Sequence, residues 1–438
     1  MSRLRTLDLA TVDPDDLQRL LRRSAVPDPE VRSRAAAIVD EVRRGGDAAL
    51  RSAAERFGGG QVDGALRVAP VRLATALAGL APALRTALES AAANIRRTHE
   101  VQLPVDVPLE VRPGVQVDRR WQPLRRVGVY APGGGAAYPS SLLMGVVPAQ
   151  VAGVAEIAVV TAAAPDGSVS DVVLAAAALL GIDEVYIAGG AQAVAALAYG
   201  TESIPRVDKI VGPGNAWVTA AKLAVYGDCG VDLPAGPSEA LILADGTADP
   251  RIVAADLLCQ AEHGPDSPVV LVTTSPSLAD AVQQALDAML PTLDRADVLA
   301  KALGDHGLVV SAPDLDAAVA FADRYAAEHV SIHTEDARGV AGRITAAGSV
   351  FVGHWSPESA GDYATGANHV LPTGGLARSH GPLSVDDFGS WRQVQELTRE
   401  GLASLRPTIT ALADAEGLGA HRLAVDIRFE PSDGGSPS

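Results

Sequence analysis

Aromatic side chains are scarce in this chain: five Phe, four Trp and seven Tyr make up 4% of its 438 residues. With few rings to pack, the core must be aliphatic, as in α/β proteins, and the length allows two to four domains. Cysteine is scarcer still. Cys229 and Cys259 alone exclude a disulfide framework and fit a reducing cytosol. Positive charge is in deficit, with 36 Lys and Arg against 53 Asp and Glu and a net charge of −17. That balance excludes a nucleic-acid partner, which needs a basic face, and says nothing about the substrate. Long apolar runs are missing as well; the stretch Val172 to Leu180 is too short to span a bilayer. Met1-Ser2-Arg3-Leu4-Arg5 leads into polar, acidic sequence and does not read as a signal peptide, so a soluble, cytoplasmic protein is expected. Two motifs are also absent: neither His-Glu-x-x-His nor Gly-x-Gly-x-x-Gly occurs.

What is present is an alternation. From Pro27 to about Arg97 apolar residues recur every three or four positions, a helical pattern broken at Gly45-Gly46 and Gly58-Gly59-Gly60. From Val127 short β-branched runs take over. Val127–Tyr130, Ile157–Thr161, Glu184–Ile187 and Lys209–Val211 read as strands, with helices over Ser140–Ala152, Ser170–Leu180 and Ala191–Ala198. After the Pro/Gly-rich passage 232–238 the alternation resumes. Ala240–Leu243, Pro268–Thr273, Gly307–Ser311, His329–Ile332 and Ser349–Val352 are the next strands, and Asp249–Gln260, Leu278–Met289 and Leu315–Ala327 the helices between them. The fold class is therefore α/β, with two successive doubly wound, mostly parallel sheets and helices on both faces. Residues 353–383 lack periodicity, and a loop of that length in a compact domain is usually functional. Ser384 to about Ala415 reads as helical, 416–429 as a last element, and the tail from Pro431 as disordered.

Nine histidines are spread along the chain, and several sit in polar clusters. Gln260 and His263 are three apart and share a face if the helix from Asp249 continues through them, with Gly264-Pro265 stopping it. Asp362, in Gly361-Asp362-Tyr363, and His421, after Gly417 and Gly419, read equally well as a turn Asp and a surface His. Together Gln260, His263, Asp362 and His421 make a nitrogen and oxygen set suited to zinc. Glu328-His329 pairs two proton acceptors where a helix gives way to a strand. That end of a parallel sheet normally faces away from the ligand crevice. Cys259 follows Asp256-Leu257-Leu258 and reads as a buried helix position rather than a thiol nucleophile.

Two glycine-rich loops follow strands and precede helices: Pro132-Gly133-Gly134-Gly135 and Gly212-Pro213-Gly214-Asn215. Their backbones can approach a phosphate. Trp217 stands where a dinucleotide fingerprint would place its third glycine, so these loops permit a dinucleotide without identifying one.

Taken in order, these segments resemble the histidinol dehydrogenase family over nearly the whole chain. The matching stretches are Val127-Gly128-Val129-Tyr130-Ala131-Pro132-Gly133-Gly134, Gly189-Gly190-Ala191-Gln192-Ala193, Val211-Gly212-Pro213-Gly214-Asn215 and Ala235-Gly236-Pro237-Ser238-Glu239. They continue through Gln260-Ala261-Glu262-His263-Gly264, Glu328-His329, Ala360-Gly361-Asp362-Tyr363, Asn368-His369-Val370-Leu371-Pro372-Thr373 and Glu416-Gly417-Leu418 with Ala420-His421. The resemblance implies zinc-dependent, NAD-linked oxidation of L-histidinol through L-histidinaldehyde to L-histidine, the last steps of histidine biosynthesis. It implies zinc ligation, one ion per subunit, by Gln260, His263, Asp362 and His421. Tyr130, Gln192 and Asn215 would contact NAD; Ser238, His329 and Glu416 would join the zinc ligands around the substrate; Glu328 and His329 would be the catalytic pair.

The resemblance further implies two incomplete Rossmann-like domains with small terminal segments. These are a terminal stretch 1–23, a discontinuous domain of 24–129 and 240–383 with most metal and catalytic residues, an NAD-side domain 130–239, and a dimerisation segment 384–438. In a homodimer, Glu416 and His421 would complete the neighbouring subunit's site. His369 is left a structural role. A zinc hydrolase on the same scaffold, with Glu328 activating metal-bound water, would use the same ligands and no dinucleotide.

Overall fold

A computed structural model of the chain describes residues 4–61, 63–133 and 137–430. Gly134 and Gly135 of the first glycine-rich loop and the tail from Pro431 lie outside the described residues. Fourteen strands run in chain order: β1 (Arg5–Asp8), β2 (Glu110–Arg112), β3 (Val115–Pro123), β4 (Arg126–Ala131), β5 (Glu156–Thr161), β6 (Val185–Ile187), β7 (Lys209–Val211), β8 (Gly230–Val231), β9 (Ala240–Ala244), β10 (Val269–Thr273), β11 (Gly307–Ser311), β12 (His329–His333), β13 (Ser349–Val352) and β14 (Gly389–Leu397).

They form three sheets among the described residues. One is six-stranded, in the order β1-β11-β10-β9-β12-β13, and one is five-stranded, β6-β5-β4-β7-β8. Both are parallel throughout. Their central strands are buried along their whole length, as in Ala240–Ala244 and Val269–Thr273, because helices cover both faces. The helix Pro139–Ala152 is apolar nearly all round and buried accordingly; Gly153, in the left-handed region, ends it. The long helix Pro29–Phe57, kinked where Gly46 leaves helical geometry, contributes Ala35, Ile38, Val39 and Val42 to the core around the five-stranded sheet. No single helix among the described residues is long and apolar enough to cross a membrane.

The chain divides into two compact units, residues 1–103 with 124–388 and residues 104–123 with 389–438. The first holds both parallel sheets. The second holds the antiparallel sheet β14-β3-β2 and the helices Arg399–Ala415 and Gly419–Asp426. Here the structure corrects the sequence reading, which has helix from Ser384 onward. Residues 389–397 form a strand paired with β3 over nine residues. Trp391, Val394 and Leu397 are spaced by three, a helical period, but the strand is fixed by its ladder and by Trp121 against Trp391, ring centroids 5.5 Å apart.

In the first unit each sheet reverses its winding at one point. The chain runs β4, β5, β6 to one side and returns beyond β4 at β7; likewise β9, β10, β11 run one way and β12, β13 the other. The reversals fall between β4 and β7 and between β9 and β12.

Candidate active site and metal centre

The helix Pro250–Ala261 is capped by the Asp249 carboxylate, which accepts from the Arg251 N–H at 2.8 Å. Its last turn carries Gln260, and His263 lies just beyond its end. Gln260 is fully buried, yet neither its amide oxygen nor its amide nitrogen has a hydrogen-bond partner among the described residues. A buried primary amide left this way costs about 1–3 kcal/mol unless something else engages it.

Packed against that helix is a short one, Glu358–Tyr363, in the stretch the sequence reads as loop. It carries Asp362 and also Glu358, a carboxylate the sequence analysis does not single out. His263 Nε2 stands 3.9 Å from Asp362 Oδ2 and 3.5 Å from Glu358 Oε1. One ligand atom from each of the three lies within 4.8 Å of the others. Glu358 is 2% exposed, and beyond the 3.5 Å approach to His263 its Oε1 meets no hydrogen-bond partner among the described residues. The missed signal was the four-residue spacing to Asp362, which puts both carboxylates on one helix face.

The six-stranded sheet delivers the other pair. Glu328 and His329 enter β12 at its amino-terminal end, beside Glu239 at the start of β9. Glu328 Oε2 accepts from the Ser238 hydroxyl at 2.7 Å and from the Glu239 N–H at 2.9 Å. Burial nevertheless pushes its carboxyl up from 4.5 to about 7, against the opposing pull of His329 and of those two donors. The His329 ring approaches the Glu239 carbonyl through Nδ1 at 3.3 Å. The carbonyl can only accept, so Nδ1 carries the proton and Nε2 is free to take another. Burial lowers the His329 pKa, but Glu358 and Glu328 outweigh it and the net direction is upward. Glu239 is held in turn by Arg23 and by the Gly374 N–H at 3.1 Å. Arg23 thereby steadies the residue whose backbone meets both catalytic candidates.

His329 Nδ1 lies 3.9 Å from Glu358 Oε1. One buried cluster therefore unites Glu328, His329, His263, Glu358 and Asp362 from three separate segments. The helix-to-strand junction, an unfavourable place by the crevice rule, is where the chemistry-bearing groups collect. His263 is the most open of them, its side chain 39% exposed. Its pKa is lowered by burial but raised overall by Glu358 and Asp362. Asp362 is pushed up by burial and by Glu358. His369 donates to the Asp362 carbonyl at 3.1 Å through Nδ1 and meets Ser141 Oγ at 3.3 Å. Burial depresses its pKa to about 4, so it is a neutral bracket behind Asp362. Cys259 is half-buried on the helix and its thiol is raised to about 12 by burial and nearby carboxylates, which removes it as a nucleophile. Glu416 and His421 are exposed and belong to the second unit.

The cluster fits a divalent cation. It offers imidazole nitrogen and carboxylate oxygens, and the Gln260 amide, on the last turn of the adjoining helix, is buried without a partner among the described residues.

The dinucleotide candidates lie at the other sheet. Tyr130 is the last residue but one of β4, Gln192 follows β6, and Asn215 follows β7. The loops after β4 and β7 flank the winding reversal at the carboxyl ends of the strands, where ligands of open α/β sheets bind. Asn215 caps the helix Ala216–Val225, accepting from the Trp217 and Val218 N–H groups at 3.0 and 3.2 Å. Gly212 has φ 115°, and a Cβ there would stand 2.2 Å from the Tyr130 carbonyl oxygen. Its peptide is gripped on both sides. Asp232 accepts from the Gly212 N–H at 2.7 Å, and the buried Lys222 donates to the Gly212 carbonyl and to Asp232. The Tyr130 hydroxyl accepts from the Gly190 N–H at 3.0 Å. The 212–215 loop, held by these bonds, ends at the helix N-terminus that Asn215 caps, a fit for a phosphate-bearing cofactor.

Comparisons with known proteins agree over the full length. The family model described as histidinol dehydrogenase matches residues 21–429. A histidinol dehydrogenase of Halobacterium salinarum is 51% identical over 423 residues, 96% of this chain and 98% of the relative. One from Vibrio parahaemolyticus is 44% identical over 431 residues, 98% of this chain and 99% of the relative. Among solved structures, histidinol dehydrogenase from Elizabethkingia anophelis superposes with a TM-score of 0.91 at 36% identity, covering 98% of both chains.

Proposed function

The chain belongs to the histidinol dehydrogenase family of oxidoreductases, and from that premise we propose that it oxidises L-histidinol through L-histidinaldehyde to L-histidine in histidine biosynthesis. Two NAD⁺ would be consumed, and one zinc ion would be bound per subunit. The observation that carries this reading is the burial of Glu328 and His329 in the same cluster as His263 and Asp362. Proton-moving groups thus stand beside donors for a cation that binds imidazole and amine nitrogen well.

Gln260, His263 and Asp362 would hold the metal, and His421 of a second copy of the chain would add a further nitrogen. Tyr130, Gln192 and Asn215 would hold the dinucleotide; Ser238 and His329, with Glu416 of a second copy of the chain, would contact the substrate together with the zinc ligands. When bound, NAD⁺ supplies the hydride acceptor of both steps, and zinc supplies an anchor for the substrate's ring and amine nitrogens.

The chain's own residues handle the protons. In the first step His329, with its Nε2 free, takes the hydroxyl proton as the carbinol carbon gives up hydride. In the second, Glu328 takes a proton from the water that adds to the aldehyde. The hydrate then gives up a hydride and releases its second proton to solvent, leaving as the carboxylate. A carboxyl near 7 is matched to that task, being half ionised where the enzyme would work.

The deciding experiment is histidinol-dependent growth of reduced-nicotinamide absorbance, with and without a chelator. No absorbance growth with metal-loaded protein would overturn the reading and favour a hydrolytic one.

A further inference from the structure

Around Gly212 lies a buried pair that no step of the proposed chemistry uses. The side chains of Lys222 and Asp232 are 4% and 3% exposed. Lys222 Nζ donates to Asp232 Oδ1 and to the Gly212 carbonyl, and Asp232 Oδ2 accepts from the Gly212 N–H at 2.7 Å. Three hydrogen bonds thus close a ring through one glycine. Burial pushes the Asp232 carboxyl upward, while Lys222 and the Gly212 N–H pull it down. The ring closes whether the shared proton sits on nitrogen or on oxygen. Apolar residues of similar volume often hold a fold as well as such a pair, or better, so stability alone is a poor reason for one here.

What the ring fixes is backbone. Gly212 occupies a φ that favours glycine. Pro213 follows it, so the 212–213 peptide has no N–H and only its carbonyl can be held. Without Lys222 that carbonyl is free to turn about the Gly212 Cα–C bond. Asp232 is itself anchored, since it follows β8 and its N–H donates to the Ile210 carbonyl of β7 at 3.1 Å. Lys222 comes seven residues after Asn215, close to two helical turns, so both lie on one side of the helix Ala216–Val225. Gly212 also packs against the Tyr130 backbone too closely for a Cβ, and the Tyr130 hydroxyl meets the Gly190 N–H. The ring therefore sets the spacing between the segments that carry Tyr130 and Asn215, and it does so without either side chain touching a cofactor.

We propose that Lys222 and Asp232 are positioning residues for the dinucleotide: by holding both peptides of Gly212 they keep the 212–215 loop in its binding arrangement before NAD⁺ arrives. The inference rests on the NAD-linked reading of the function, and its test separates the two. A loop that holds the competent arrangement a tenth of the time binds about tenfold more weakly. The double variant Lys222→Met/Asp232→Asn nearly keeps the side-chain volumes, leaves no lone buried charge and retains an acceptor for the Gly212 N–H. Only the grip on the carbonyl goes. In equilibrium dialysis its dissociation constant for NAD⁺ should rise about tenfold or more, and the KM for NAD⁺ with it. The kcat at saturating NAD⁺, the KM for histidinol, the zinc content and the melting temperature should stay near those of wild type.

Wild-type NAD⁺ affinity in a double variant that melts like wild type would show the pair to be structural and overturn the proposal. Equal losses for NAD⁺ and histidinol would overturn it too. A second measurement needs no variant. In hydrogen exchange of NAD⁺-free wild type, fragments covering Gly212 should already be protected there, and NAD⁺ should add little. Fast exchange at Gly212 until NAD⁺ is added would mean that the cofactor orders the loop, which overturns the proposal and leaves the NAD reading intact. If wild type binds no NAD⁺, that reading falls and the proposal with it.

Discussion

Glu328→Gln is the most informative single substitution, because its effect on stability can be worked out with its sign. Burial raises the Glu328 carboxyl from 4.5 to about 7, so the folded chain holds this proton more tightly than the unfolded chain. The usual direction for a carboxylate is therefore reversed. Below pH 4.5 both states are protonated and Glu328 costs nothing. As the pH rises through 4.5 to 7, the unfolded state ionises while the folded state resists, and stability is lost. At about 1.4 kcal/mol per tenfold difference in proton affinity, the loss reaches about 3 kcal/mol above pH 7. Glutamine cannot ionise, and its amide oxygen can still accept from the Ser238 hydroxyl or the Glu239 N–H. Urea unfolding of metal-free wild type and variant at pH 4 and pH 8 should show the variant gaining about 3 kcal/mol relative to wild type between the two. A difference that does not change with pH, or that moves the other way, would refute the claim that this carboxyl is raised by burial.

The same substitution should spare alcohol oxidation and slow aldehyde oxidation by about 10²–10⁴-fold; equal loss in both half-reactions, measured separately from histidinol and histidinaldehyde, would refute the division of labour between Glu328 and His329. If His421 acts across a dimer, a His421→Asn chain exchanged with a Glu328→Gln chain should regain about a quarter of wild-type activity at random assembly, since half the dimers are mixed and each has one intact site. No recovery after verified subunit exchange would place the site within one chain. Gly212→Ala forces a Cβ against the Tyr130 carbonyl at a φ that disfavours side chains. It should weaken NAD⁺ binding by about 1–3 kcal/mol while zinc content stays unchanged; unaltered NAD⁺ affinity in fluorescence titration would remove this loop from the cofactor site.

The parallel sheets were legible in the sequence because buried strands of such sheets are short, continuous apolar runs. Expected strands such as 209–211, 307–311 and 349–352 coincide with β7, β11 and β13. β14 was not legible, because Trp391, Val394 and Leu397 repeat every three residues and only the pairing with β3 makes them a strand. The site was legible in pieces. Gln260 and His263 announced a shared helix end, and Glu328-His329 a pair of proton acceptors. Their convergence was not, since it depends on which strands become neighbours. Glu358 went unnoticed because a Glu after Ser356-Pro357 in a glycine-rich stretch looks like any solvated helix start, and nothing local reports that its carboxylate is buried.

That convergence at the amino ends of the strands has its own physical logic. Where a parallel strand begins, its first N–H groups are not all taken up by the ladder, and a carboxylate can claim one, as Glu328 does with the Glu239 N–H. The Glu239 carbonyl faces the next residue along β12 and fixes the His329 ring. One residue thus orients an acid and a base side by side, through the two peptides that flank its Cα. The carboxyl ends of the other sheet offer the opposite resource: helix N-termini such as the one capped by Asn215, suited to phosphate. On the proposed function, each half of the chemistry would sit at the sheet end whose backbone groups favour it, and the departure from the usual crevice position would follow from what is bound there.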